Sequence, residues 1–170
     1  NLIGVAYSKL NKPDSAIFWF GRCYTISNGN TSSDSVWRGI ALGSMAEIYT
    51  TKKNYVKALE LYTQSKALHK GADKQLIDYN INTYSDLAQV YLALNNTIAA
   101  KESLGIAASF LPKKEYSNNA LKYYKSLVLY YKQTNASSGL LLNATDSLQH
   151  YQAIVDKEFN EKQKIGIEAT

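Results

Sequence analysis

One short signature returns along this chain at near-constant spacing, and it constrains the fold more than any other feature. Ile3-Gly4-x-x-Tyr7, Met45-Ala46-x-x-Tyr49, Leu87-Ala88-x-x-Tyr91 and Leu127-Val128-x-x-Tyr131 begin 42, 42 and 40 residues apart. Nine residues after the first three tyrosines stands a small residue (Ala16, Ala58, Ala100). A large apolar residue follows (Phe20, Tyr62, Leu104), then a small one (Cys23, Ser65, Ala107). A unit of this length cannot bury its apolar face alone, so copies must stack on one another to make a core.

The spacing inside each copy is helical. Ile40, Leu42, Met45, Ala46, Ile48 and Tyr49 recur with the period of an amphipathic helix, and so do Leu76, Ile77, Tyr84, Leu87, Ala88 and Tyr91. The small residues at 16, 58 and 100 fall where a second helix crosses the first, because helix axes about 8–10 Å apart leave no room for large side chains. Start and stop signals bracket these segments: Pro13 with Asp14, Asp34 or Ser35, Asp73, and Gly71 after Lys70. Asn54, Asn95 and Asn135 sit in or beside the links between paired helices, where a left-handed backbone is tolerated. The resulting map has helices near 1–10, 13–27, 34–52, 54–70, 73–94, 96–110, 115–134 and 143–165. The stretch from Asn135 to Asn143 delays the eighth helix as an extra turn or a loop. Aligning Ser147, Tyr151 and Ile154 with the small-large-small pattern then restores the register.

Composition agrees. Of 170 residues, 45% are apolar and only 9 are Gly and 2 Pro, which excludes collagen-like and linker-rich chains and disfavours turn-dense sandwiches. The net charge of +5 gathers in the second half, where Lys101, Lys113, Lys114, Lys122, Lys125 and Lys132 outnumber Glu102 and Glu115. Arg22 and Arg38 are the only arginines, too few for a nucleic-acid footprint. Cys23 stands alone, which excludes an internal disulfide; its place in the pattern makes it a buried structural thiol. With His69 and His150 as the only histidines, no metal-ligand cluster forms. No phosphate loop, nucleophile elbow or zinc-protease motif occurs, so the expectation is no catalytic, cofactor-binding or metal-binding residue. No apolar run approaches the roughly 18 residues of a membrane span.

Taken together, the repeated Leu/Ala/Tyr and Ala/Phe/Ala positions resemble the tetratricopeptide repeat. Its closing proline survives only as Pro112, and its period, about 34 residues, is exceeded here. The resemblance implies an all-α, right-handed superhelical solenoid of about four antiparallel helix pairs, with repeats at about 1–28, 34–70, 76–112 and 116–160 inside one domain spanning 1–170. It also implies a protein or peptide partner on the concave face lined by the first helix of each pair. Carried over residue by residue, the groove positions are Gly43, Glu47 and Thr50; Asn82, Ser85 and Gln89; and Lys122, Lys125, Leu129 and Lys132. The family's carboxylate-clamping subgroup is not matched, because Val5, Glu47 and Gln89 stand at its positions.

The segment from Tyr151 to Gln163 is similar to the close of the tetratricopeptide sensor regions of Bacteroidetes-type membrane histidine kinases. That likeness implies the sensor part of a two-component receptor, with a periplasmic or extracytoplasmic location and a C-terminal helix leading into a downstream region outside this chain. A homodimer is compatible with it. The alternative is a cytoplasmic interaction scaffold, or the regulatory region of a transcription factor, built on the same repeats. Because the chain opens at Asn1 inside a helical pattern, it is expected to be a piece of a longer protein.

Overall fold

The computed structural model describes residues 1–29, 31–68, 77–111 and 117–168; among them there are eight α-helices and no strand. In chain order these are α1 (Leu2–Lys9), α2 (Pro13–Ile26), α3 (Ser32–Thr51), α4 (Tyr55–Leu68), α5 (Ile77–Ala93), α6 (Thr97–Phe110), α7 (Ser117–Gln133) and α8 (Ser138–Glu168). The all-α, helical-repeat class expected from the sequence is what the chain adopts. Asp73, Gly71, Lys70, Leu76, Pro112 and His69 lie outside the described residues.

Four helix pairs are closed by one device. Asn11, Lys53, Asn95 and Asn135 have φ of 54°, 60°, 59° and 50°, and among the described residues they are the positive-φ positions other than glycine. Each terminates the first helix of a pair in a Schellman motif. The amide of the following residue (Lys12, Asn54, Asn96, Ala136) donates to the carbonyl of Tyr7, Tyr49, Tyr91 or Tyr131 at 2.9, 2.9, 2.8 and 3.0 Å. The left-handed residue itself donates to Ser8, Thr50, Leu92 or Lys132. Orphan carbonyls of the helix end are thereby satisfied while the chain reverses direction. The repeated tyrosine therefore marks the third residue from the helix end as well as a packing position. Asn54 and Asn96 serve twice, since their side-chain oxygens also accept the amides of Lys57 (3.2 Å) and Ala99 (3.0 Å) at the start of the next helix.

Two compact units are delimited by the internal contacts, Asn1–Tyr79 and Asn80–Thr170. In the first, Ala16, Phe20 and Ile48 form a core with Tyr7, Ile17 and Met45 against it. Gly4 lies directly under the Phe20 ring, where an added Cβ would stand 2.6 Å from Cε1, so only glycine permits that approach of α1 to α2. In the second unit, Ile81, Ala88, Leu104, Ala107 and Tyr123 form the core, with Tyr84, Phe110, Leu111, Tyr124, Leu127 and Tyr130 packed on it. Ala16, Ala58 and Ala100 are all fully buried, as close helix crossing requires.

Three expectations need correction. The α3 helix starts at Ser32, and Asp34 is inside its first turn. Its cap is Thr31, whose side chain accepts from the Asp34 amide while the Asp34 carboxylate accepts from the Thr31 amide, a reciprocal capping box. The eighth helix is not delayed to 143: it begins at Ser138, three residues after Asn135, against two from Asn95 to Thr97. The supposed insertion is one additional link residue followed by ordinary helix, and the buried small residue is Ala144 rather than Ser147. Cys23 is half-buried rather than buried. It shares the wall of a pocket of about 270 Å³ with Asn1, Ile3, Gly4, Trp19, Arg22, Ile26 and Ser27. Its counterparts Ser65 and Ala107 are fully covered. At the same place in the second pair, the Ser65 hydroxyl donates to the Gly39 carbonyl of α3 at 2.8 Å.

Candidate protein-binding face

The residues singled out for binding lie on the first helices α3, α5 and α7, and the structure gives them different surroundings. On α3, Glu47 is exposed and Thr50 is half-buried, its hydroxyl donating to the Ala46 carbonyl at 2.9 Å. Gly43 is buried beneath the Tyr79 hydroxyl and is closed to a ligand. Tyr79 donates to the Gly39 carbonyl at 3.0 Å, Ser65 donates to the same carbonyl at 2.8 Å, and the two hydroxyl oxygens are 2.7 Å apart. Three contacts share two hydroxyl hydrogens, so two of them are hydrogen bonds at any moment.

On α5, Asn82 is half-buried and Ser85 fully buried, with no hydrogen-bond partner for its hydroxyl among the described residues. The Gln89 amide donates to Ser126 Oγ at 2.8 Å, and Ser126 donates to the Lys122 carbonyl at 3.1 Å. On α7, Lys122 Nζ lies 2.7 Å from the carboxylate of Asp86. Asp86 is nearly buried and Lys122 three-quarters covered, so the pair is shielded from solvent and links α5 to α7. The Gln133 side chain adds a bond to the Leu92 carbonyl at 3.0 Å. Gln89 and Lys122 are thus engaged in helix-to-helix contact. Lys125 and Lys132 are exposed, and neither has an ion-pair partner among the described residues.

Sequence reasoning passed over Asp86 and Ser126. A signal existed: both stand immediately before the Leu-Ala and Leu-Val of the repeat signature, so they occupy one repeat position. Burial of Tyr123 beside Tyr124 and Tyr131 pushes its hydroxyl up to about 12, mainly through loss of solvent around the phenolate. Tyr124 in turn stacks on Tyr151 of α8 with ring centres 5.5 Å apart. His150 is exposed and meets Tyr151 edge-on.

Among the described residues no group of three or more His, Cys, Asp or Glu side chains could hold a metal ion. No described helix is long and apolar enough to cross a membrane.

No curated protein matches the chain. Residues 1–30, which contain α1 and α2, match the family model of the tetratricopeptide repeat. Repeats of this family are typically non-catalytic. The match, joined to four helix pairs that share one closing turn, supports the tetratricopeptide repeat family and a protein-interaction role for this chain.

Proposed function

We propose that the chain is a non-catalytic module that binds a protein or peptide on the face formed by its first helices, and that it serves as the sensor region of a two-component signalling receptor. The observation that carries the binding half is the polar and charged surface that α3 and α7 keep beside their packed sides. Second helices supply the small crossing residues Ala16, Ala58 and Ala100, all fully buried. The first helices keep polar and charged side chains at the surface, among them Glu47, Lys125 and Lys132. Within each unit, helices packed in this way hold their surface side chains in place before a partner arrives, which lowers the ordering cost of association. The sensor half rests on the likeness of the segment from Tyr151 to Gln163 to receptor sensor regions. Its helix α8 runs for 31 residues, about 46 Å at 1.5 Å per residue, against 14 residues in each of α2, α4 and α6. A helix of that reach can pass a change at the repeats to a domain beyond them.

Photo-crosslinking in the source cells tests the binding half. A crosslinker at Glu47 or Lys125 is expected to trap a polypeptide partner, and one at Lys101 on α6 is not. Trapping from Lys101 alone refutes the assignment of the face. For the sensor half, adding the trapped partner should change the oligomeric mass or the small-angle scattering profile of the chain. A saturated complex with both unchanged removes signalling from the reading.

A further inference from the structure

In the second unit α5 and α7 are joined side by side by polar contacts. On α5 the face turned to α7 carries Ser85, Gln89 and Leu92: Ser85 and Leu92 are fully buried, Gln89 bonds to Ser126, and the Leu92 carbonyl accepts from Gln133. In the first unit, Gly43 stands at the position of Ser85 and is covered by Tyr79, while Glu47 and Thr50, at the positions of Gln89 and Leu92, are exposed and half-buried. The repeat spacing of 40 residues puts Lys125, Leu129 and Lys132 at the same three positions of α7. All three are exposed, Leu129 by 43% of its surface. They follow one another at i, i+4 and i+7 and so form one stripe along the helix. A helix laid on α7 as α7 lies on α5 would bury Lys125 and Lys132 as deeply as Ser85 and Leu92, which no unpaired ammonium tolerates. The stripe is therefore apolar at its centre and cationic at both ends, and an incoming helix must bring the opposite charge.

We propose that this stripe of α7 is a docking seat for an acidic amphipathic helix of a partner protein, laid along α7 in the place a next first helix would take. The occupant carries two carboxylates about seven residues apart, roughly 10 Å along a helix, to meet Lys125 and Lys132. A large apolar side chain between them covers Leu129. The Asp86–Lys122 pair, at 2.7 Å between α5 and α7, shows this fold joining adjacent first helices by the same chemistry. The proposal rests on the protein-binding reading and adds the chemical class of the partner.

The probe is a blocked, helix-forming peptide of about 20 residues with Glu, Leu and Glu at i, i+4 and i+7, compared with the same peptide bearing Lys for Glu. Binding to the full chain is read by fluorescence anisotropy at low and high salt. The acidic peptide should bind and the basic one should not. Lys125→Glu with Lys132→Glu should weaken the acidic peptide roughly 5- to 20-fold and confer binding on the basic one. Leu129→Ala should weaken the acidic peptide without changing its salt dependence. Circular dichroism and melting establish that each variant is folded. Equal binding of both peptides, absence of binding by the acidic one, or a preference that survives the double reversal overturns the proposal. So does a dimer in sedimentation that the double reversal dissociates, which would assign the stripe to a second copy. If crosslinks from Glu47 persist while the peptide preference fails, the acidic-helix seat falls and the broader binding role stands.

Discussion

Substituting Gly43 by alanine should have a sign that depends on Tyr79. In an exposed helix interior, Gly→Ala stabilises by about 1 kcal/mol. At Gly43 the new methyl would overlap the Tyr79 hydroxyl and stand 2.9 Å from Cζ, so the ring must withdraw. Withdrawal breaks the bond from Tyr79 to the Gly39 carbonyl and the contact with Ser65 Oγ. The Ser65 hydroxyl keeps its bond to Gly39, so the trio falls from two hydrogen bonds to one, and the partly buried Tyr79 hydroxyl stripped of these partners costs about 1–3 kcal/mol. Set against the helix gain of about 1 kcal/mol, Gly43→Ala is therefore expected to destabilise the chain by up to about 2 kcal/mol. In a Tyr79→Phe background the hydroxyl is gone, only Cζ must shift by a few tenths of an ångström, and Gly43→Ala should be neutral or slightly stabilising. Urea unfolding of the four proteins of this cycle gives the coupling directly, expected at about 1–2 kcal/mol. A coupling below about 0.3 kcal/mol, within the additivity error of independent sites, would refute the claim that Tyr79 is why residue 43 has no side chain.

Lys53 occupies a left-handed position filled by Asn in the other three pairs, and Lys53→Gly or Lys53→Asn should raise stability by about 0.5 kcal/mol, while Asn95→Val should lower it by about 1–2 kcal/mol; denaturant midpoints decide both. Asp86→Asn takes from the Lys122 ammonium the carboxylate charge that stands 2.7 Å away, and should cost about 2 kcal/mol, between the values for exposed and fully buried pairs; a melting temperature equal to the parent's contradicts this. The raised pKa of Tyr123 means that the folded chain holds a proton which the unfolded chain releases above about pH 10. Stability from this group is complete below that pH and is lost as pH rises toward about 12. Tyr123→Phe should flatten that part of an alkaline unfolding curve, and tyrosinate absorbance should show one late-titrating group in the parent that the variant lacks. Thr31→Ala removes the capping box of α3 and should cost about 1 kcal/mol in the same unfolding assay.

The repeat was legible because its markers serve backbone and core together. The tyrosine carbonyls accept the Schellman bonds, and Ala16, Ala58 and Ala100 sit at the crossings, so neither position drifts freely. Helix starts were less legible. Asp34 reads as a cap, yet Thr31 performs that role, because a capping box looks alike from either of its ends until the backbone is known. The link after Asn135 misled because Leu140, Leu141 and Leu142 do not repeat the small-large-small order. The helix forms there nonetheless, with Leu140 and Leu142 left exposed and Ala144 buried. Groove positions were the least legible part. Gly43, Gln89 and Lys122 follow the family's spacing, but they are covered or engaged by side chains some 36 or 37 residues away, Tyr79, Ser126 and Asp86. Local periodicity does not encode such pairs.

Backbone NMR at the four hairpin links tests most directly whether one helix pair, closed the same way, is used four times. Carbon shifts at Asn11, Lys53, Asn95 and Asn135 should report a left-handed conformation at every one. The amides of Lys12, Asn54, Asn96 and Ala136 should be protected from exchange by the tyrosine carbonyls, with helical shifts resuming at Ser138. An extended, unprotected segment from 136 to 142, or a right-handed residue at any of the four links, would contradict the account.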